Sequence, residues 1–255
     1  MMKISVLTPS YNSGKYINRA IQSVINQHYL NFEHIIVDGG STDDTITILK
    51  QHDHIIWISE PDSGQSDAMN KAFHISTGDI IVYLNADDEF SPGAFHSIIK
   101  SFQEQPDADM VVGNLITIDL KGNSVRTPSI QYADLLTYWN GLHPPNPVSY
   151  FYKRRVQLQI GLFPVDDHYS MDIYFLLKAY QKFNLIKIND VLGTFHSDGN
   201  NKTAISNVGY NLHNAVKSHL IKQNKLMLPY FYFKLIKDKF NGKQGSGVGV
   251  ISNNT

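Results

Sequence analysis

The chain has 255 residues, a net charge of −1, 42% hydrophobic positions and 18% charged ones. That length holds one large domain or two lobes sharing a sheet, and the composition excludes global disorder. The near-neutral charge argues against nucleic acid as the main partner, and the absence of cysteine excludes disulfides and thiolate metal sites, leaving oxygen and nitrogen ligands.

No run is long and apolar enough to span a bilayer, and Lys3 leads directly into a strand-like run where a signal peptide would need an apolar core. A cytoplasmic location is expected, with peripheral membrane contact left open. Ile4 to Leu7 reads as the first strand, closing in Thr8-Pro9-Ser10-Tyr11-Asn12-Ser13-Gly14. Pro9 has no N–H for a central ladder, so the strand is expected to stop there. Ile17, Ala20, Ile21, Val24 and Ile25 recur at helical spacing between Tyr16 and Gln27. Phe32 to Val37 is a second buried strand, closing in Asp38-Gly39-Gly40-Ser41-Thr42-Asp43-Asp44-Thr45. Ser41 or Thr42 marks a helix start, with the helix running to about Lys50. A third strand at Ile55 to Ile58 and a helix from Gln65 to Ile75 follow.

Next comes the run from Asp79 to Asp88, in which Ile80 to Leu84 gives way abruptly to Asn85, Asp87 and Asp88. An unbroken apolar run bounded by Gly78 reads as a parallel strand buried on both faces. Adjacent carboxylates at its end repel unless a cation compensates them, which suggests a divalent metal holding a phosphate; a plain Asn/Asp turn is the alternative. The β-α alternation predicts an α/β protein with a Rossmann-like sheet flanked by helices, whose ligand lies at the carboxyl ends of the strands. Three of the four early strands end in polar clusters there: Pro9/Tyr11, Asp38/Ser41/Asp43 and Asn85/Asp87/Asp88. Gly-x-Gly-x-x-Gly and P-loop signatures are both missing.

Beyond Asp88 the rhythm changes. Ser91 and Pro92 suit the N-cap and first turn of a helix reaching about Gln103, followed by strands at Met110 to Val112 and Leu115 to Leu120. Residues 128–150 are rich in Tyr, Trp, His and Pro. A helix at Ile173 to Lys182 and a strand at Leu185 to Ile188 precede a polar segment, Thr194 to Thr203. Residues 207–240 read as basic helix interrupted at Pro229, and the tail from Gly242 as disordered. The lysines and aromatics of the helical stretch fit an anionic lipid surface or, equally, a helix packed on the core with its lysines solvated.

Thr8-Pro9-Ser10-Tyr11-Asn12, Val37-Asp38-Gly39-Gly40-Ser41-Thr42-Asp43, Glu60-Pro61-Asp62-Ser63-Gly64-Gln65, Asp67-Ala68-Met69-Asn70-Lys71 and Leu84-Asn85-Ala86-Asp87-Asp88 together resemble the family 2 glycosyltransferases of the GT-A fold. The nearest likeness is to the bacterial branch that builds surface polysaccharides such as O-antigen or capsule. The resemblance implies residues 1–115 as the donor-binding half, 116–205 as the acceptor half of the same domain, 206–241 as C-terminal helices and 242–255 as a tail. It implies a nucleotide site made by Pro9, Tyr11, Asp38, Asp67, Asn85, Asp88, Lys202 and Thr203. Pro9 and Tyr11 would wall the base, Asp38 would accept its N–H, and Asp67 would contact ribose or orient a metal ligand. Asp88 would serve as a support or ribose contact. Asn85 stands where the family carries the first acid of Asp-x-Asp, and Asp87 with His196 would hold Mn²⁺ or Mg²⁺. In Tyr169-Ser170-Met171-Asp172, Asp172 matches the catalytic base. The implied reaction is metal-dependent, inverting hexosyl or N-acetylhexosaminyl transfer, with a UDP-sugar favoured as donor. The implied acceptor is a saccharide or polyprenyl-diphosphate saccharide. The reading from another class is a catalytically silent sugar-nucleotide-binding or scaffold subunit.

Overall fold

The computed structural model describes residues 1–129, 132–136, 146–166, 170–197, 216–222 and 225–240. Its centre is a nine-stranded sheet. Strands β1 (Ile4–Ser10), β2 (Phe32–Asp38), β3 (Ile55–Ser59) and β4 (Ile80–Tyr83) are parallel and lie in the order β3-β2-β1-β4. Helices α1 (Ile17–Ile25), α2 (Thr45–Leu49) and α3 (Gln65–Ile75) make the crossovers.

The unbroken apolar run of β4 has a direct cause. Ile80 and Val82 face one core with residues of α1, and Ile81 and Tyr83 face another with residues of α3. A strand covered on both sides needs no polar face. The polar residues of β1 and β2 are paired inside this layer: Ser5 Oγ donates to Glu33 at 2.6 Å, and Thr8 Oγ1 meets His34 Nε2 at 2.9 Å.

β1 runs three residues further than Leu7 and includes Pro9. The Leu7 carbonyl accepts from Leu84 N–H and the Ser10 carbonyl from Gly39 N–H, so alternation turns the Pro9 nitrogen towards the β4 side. There β1 pairs with β4 only up to Leu7, and no ladder partner is deprived of a donor.

After β5 (Glu89–Phe90) and α4 (Ala94–Glu104) come β6 (Met110–Ile118), β7 (Ser124–Thr127), α5 (Tyr132–Leu136), β8 (Tyr150–Lys153), α6 (Arg154–Ile160), α7 (Met171–Lys182) and β9 (Leu185–His196). These strands extend the sheet as β4-β8-β6-β9-β5, with β7 paired to β6. β8 is antiparallel to both β4 and β6, while β9 is parallel to β6 and β5 antiparallel to β9. The result is the expected α/β architecture of a mixed sheet flanked by helices. β6 runs unbroken across position 115, so both expected halves share one sheet.

Several local expectations change. The two strands read at 110–120 are one, with a bulge around Asn114, whose side chain donates to Asn189 O at 2.7 Å and accepts from Ser129 N–H at 2.8 Å. Gly93, with φ 79°, occupies the N-cap of α4, in place of Ser91. Ser91 instead uses its carbonyl to accept from Gln27 and Ala94. α2 starts at Thr45, because Ser41 and Thr42 are engaged with the loop after β1. Strands β5, β7 and β8 and helices α5 and α6 add to the elements expected from the sequence, and β9 extends the short strand at Leu185 through His196. Residues 216–222 form helix α8. Pro229 is the second residue of α9 (Leu228–Phe240), where its missing N–H has no helical partner to lose. Phe231 is fully buried in the core, whereas Phe233 and Ile236 are exposed.

Candidate functional site

The parallel register places the ends of β1, β2 and β4 on one edge of the sheet. Ser10 lies opposite Asp38, and Asp38 opposite Ser59. The loops there are stitched together. Asn12 N–H donates to Ser41 Oγ at 2.7 Å, and Asn12 Oδ1 accepts from Thr42 N–H at 2.9 Å. Gly14 N–H donates to Asp43 at 2.9 Å, and Ser13 N–H to Thr45 Oγ1 at 2.8 Å. Asn12 takes a φ of 47°, a conformation its short amide tolerates.

A pocket of about 550 Å³ opens at this edge, bounded by Pro9, Tyr11, Gly39, Asp62, Gln65 and Ala68 among others. That volume accommodates a nucleoside-sized ligand. Tyr11 is 65% exposed, so its ring is no part of the core and one face is available for stacking. A second pocket of about 550 Å³ lies at the start of β4, lined by Thr77, Gly78, Lys153, Arg154 and Arg155. Its lysine and two arginines are hydrogen-bonded to the protein: Lys153 to Pro106 O, Arg154 to Gly78 O and Ser76 Oγ, and Arg155 to Asp109. It is a structural corner.

Asp38 is placed differently from expectation. It is fully buried and does not line the pocket. Its carboxylate accepts from Gly40 N–H at 3.1 Å, Ser41 N–H at 2.8 Å, Ser59 Oγ at 2.7 Å and Ser41 Oγ. It therefore shapes the loop that edges the pocket and joins it to the end of β3. Asp67 has a similar bracing role, accepting from Ser63 N–H at 3.0 Å. Lys71 bridges Asp67 and Glu60 at 3.4 and 2.8 Å, and the bond to Glu60 leads the causes that raise its pKa.

The turn after β4 is a polar network. Asn85 accepts from Gln65 Nε2 at 3.0 Å and donates to Asp88 at 3.1 Å. Asp88 also accepts from Asn146 Nδ2 at 2.8 Å and from His196 N–H at 3.2 Å. It is fully buried. Burial first, then the neighbouring Asp87, pushes its carboxyl up to about 8 against those three donors. Asp88 thus faces protein on every side. Asn85 likewise spends its amide within the network.

Asp87 remains partly exposed, and its backbone carbonyl accepts from Arg19 of α1. His196, at the end of β9, places Nε2 2.9 Å from Glu89 Oε1. When Nε2 carries the proton, this contact orients the ring and leaves the lone pair on Nδ1. Among the described residues no three acidic or imidazole groups converge as a ready metal cage. The donors still fit Mg²⁺ or Mn²⁺, because such ions take one or two carboxylates and complete their shell with substrate phosphate oxygens.

Asp172 lies in the first turn of α7, where the helix dipole favours a carboxylate. Ser66 Oγ contacts Met171 Sδ at 2.8 Å, so the first turn of α3 carries Gln65 towards Asn85 and Ser66 towards the start of α7. Pocket, acidic turn and Asp172 are linked through that turn. Behind it, burial raises the phenols of Tyr83, Tyr150 and Tyr152, and the Asp172 charge adds to the effect. Lys202 and Thr203 lie outside the described residues. Arg19, Gln65, Glu89 and Asp62 carried no assigned role in the sequence. Gln65 and Asp62 belong to the Glu60-Pro61-Asp62-Ser63-Gly64-Gln65 motif, whereas no pattern marks Arg19 or Glu89.

Residues 5–180 match Glycosyl transferase family 2, and the chain belongs to that family. An uncharacterized glycosyltransferase of Nostoc sp. is 34% identical over 176 residues, covering 65% of this chain and 54% of that protein. Chondroitin synthase of Escherichia coli is 33% identical over 126 residues, covering 48% of this chain and 18% of the synthase. The chain therefore spans about half or less of these relatives. Among solved structures, residues 1–349 of S. aureus TarS in complex with UDP-GlcNAc align with a TM-score of 0.73 at 18% identity, over 94% of this chain and 75% of that one. The mannosyltransferase PcManGT of Pyrobaculum calidifontis, in complex with GDP-Man and Mn²⁺, aligns with a TM-score of 0.59 at 18% identity, over 94% and 75%. The fold is GT-A. Among the described residues no helix is long and apolar enough to cross a membrane.

Proposed function

We propose that the chain is an inverting glycosyltransferase that moves a sugar from a nucleotide donor to a glycan or lipid-linked saccharide in bacterial polysaccharide synthesis. The observation that carries this reading is the first turn of α3, which joins the Pro9/Tyr11 pocket, the Asn85–Asp88 turn and the Asp172 helix start. Family membership supports the reaction class, the UDP-GlcNAc-bound neighbour supports a UDP-sugar donor, and chondroitin synthase supports a polysaccharide product.

In this reading the base stacks on Tyr11 and the diphosphate reaches the turn after β4. Asp172 takes the proton from the acceptor hydroxyl as its oxygen bonds to the anomeric carbon and the bond to the diphosphate breaks. One carboxylate base and attack from the face opposite the leaving group give inversion. A divalent cation held by Asp87 and His196 would supply charge neutralisation at the leaving diphosphate. Asp88, Asn85 and Asn146 keep the Asp87 turn in shape. The exposed Phe233 and Ile236, beside Lys237 on α9, support contact with an anionic membrane where lipid-linked acceptors reside. Vesicle flotation of the Phe233→Ser/Ile236→Ser protein tests that contact, and unchanged partition would remove it.

The test of the activity is release of nucleoside diphosphate from a panel of UDP- and GDP-sugars with Mn²⁺ and saccharide acceptors. The expected result is acceptor-dependent release from a UDP-sugar. Nucleotide binding without transfer across the panel would favour the catalytically silent subunit.

A further inference from the structure

A pocket that discriminates among nucleotide bases needs a hydrogen-bonding group facing the base edge. Asp38 does not provide it, since its carboxylate is buried and spent on Gly40, Ser41 and Ser59. Asp62 is the carboxylate among the residues lining the pocket, which it shares with Pro9 and Tyr11. It is held by a braced loop. Its Oδ1 accepts from Gly64 N–H at 2.8 Å, the next residue Ser63 is tied to Asp67 at 3.0 Å, and Glu60 is tied to Lys71 at 2.8 Å.

Gly39 makes the room. A Cβ on Gly39 would lie 2.8 Å from Asp62 Oδ2 and 3.0 Å from its carboxyl carbon. Gly39 is not among the residues with positive φ, so glycine is required there by space and not by backbone conformation. The Asp62 carboxylate thus fills the volume that a side chain at position 39 would take, beside the loop that Asp38 shapes. Among the described residues no protein donor engages Oδ2.

We propose that Asp62, and not Asp38, reads the nucleotide base, and that it selects a base presenting a single imide N–H, as uracil and thymine do. With Oδ1 committed to Gly64, the carboxylate offers one oxygen to the ligand. One acceptor matches the lone N3–H of an imide. Guanine presents two adjacent N–H groups and would call on both oxygens, while cytosine presents a ring acceptor that the carboxylate repels. The inference rests on the donor-site reading above and deepens it to the class of nucleotide.

The experiment is calorimetric titration of the full chain with UDP, dTDP, GDP and CDP in the presence of Mn²⁺, repeated on Asp62→Asn and Gly39→Ala. The wild type should bind UDP or dTDP at least about ten-fold more tightly than CDP or GDP, as expected for one charge-assisted hydrogen bond; which of the two is tighter identifies the source. In Asp62→Asn the amide oxygen keeps the Gly64 contact and an N–H faces the base. UDP affinity should fall about ten-fold or more, with CDP rising to parity or above. Gly39→Ala keeps the carboxylate but crowds it, with Oδ2 at 2.8 Å and Oδ1 at 3.1 Å from the added Cβ, and so shifts it from its place beside the pocket. It should weaken UDP while the protein stays folded, so the idea remains testable if Asp62→Asn folds poorly. A preference for UDP over CDP unchanged in both variants overturns the proposal, as does base selectivity lost in Asp38→Asn but kept in Asp62→Asn. A wild type that binds GDP most tightly overturns it too, while leaving the donor-site reading standing. A wild type that binds none of the four contradicts both.

Discussion

Asn146 donates a hydrogen bond to Asp88 at 2.8 Å across 58 positions of sequence. This contact fastens the turn carrying Asp87 to the segment that leads into β8, and the His196 N–H adds the end of β9. Replacing Asn146 with Leu keeps the number of side-chain heavy atoms but removes one of the three donors to the buried Asp88 carboxyl and the acceptor of the Val148 N–H. The expected cost is about 1–3 kcal/mol of folding stability, read by urea unfolding with an unchanged slope. No loss of stability would show that the Asp88 network is slack.

Asp172→Asn should separate chemistry from binding. Loss of the base is expected to lower kcat by roughly 10²–10⁴, while the dissociation constant for the nucleoside diphosphate stays within about two-fold of wild type. A parallel loss of nucleotide affinity would place Asp172 in the donor site and not at the acceptor.

Tyr11→Ala should do the reverse. The ring is 65% exposed, so its removal leaves the melting temperature unchanged. Nucleotide affinity should fall by about 1–3 kcal/mol, the scale of one base–aromatic stack. A drop in stability with intact affinity would make Tyr11 a packing residue.

Acid should destabilise the fold through β2 in two overlapping windows. Burial works to raise the Glu33 carboxyl, but the donors Lys3, Ser5 and Thr77 outweigh it and hold the group at about 2, against an ordinary 4.5. The folded pKa is depressed, so this contribution is present above about 4.5 and lost as pH falls towards about 2. Burial, then the nearby His54 and His52, lowers His34 from 6.5 to about 3. The unfolded chain takes up that proton first, so stability also declines as pH drops from 6.5 towards 3. Glu33→Gln should cost about 1–2 kcal/mol at pH 7, a figure reduced because Lys3 is partly exposed to solvent, and should flatten the decline below pH 4.5. An unchanged acid profile would count against the Glu33 clamp.

The parallel half was legible because strands covered on both faces must be written as long apolar runs. Ile4 to Leu7, Phe32 to Val37 and Ile80 to Leu84 have no other economical reading. β8 was hidden because Tyr150, Phe151 and Tyr152 follow a proline-rich segment, and their fit between β4 and β6 depends on partners far away in sequence. β7 is largely exposed and lacks apolar alternation. The polar clusters at the sheet edge were also readable, since turn residues after buried strands leave few alternatives. Side-chain direction was not readable. Asp38 and Asp62 both end up near the pocket, and only the tertiary arrangement shows that Ser41 and Ser59 draw one inward while Gly39 leaves space for the other. Arg19 gave no signal because an arginine on a helix is usually a solvated one.

In the proposed function the carboxyl edge of the parallel strands is a nucleotide-sugar donor site. Amide hydrogen exchange of the full chain, with and without UDP and Mn²⁺, tests it most directly. Protection is predicted in residues 9–14, 38–45, 61–68 and 85–89, which surround the pocket and the acidic turn. Protection confined to residues 77–80 and 153–155, around the pocket at the start of β4, or no protection at all, would rule out a donor site at this edge.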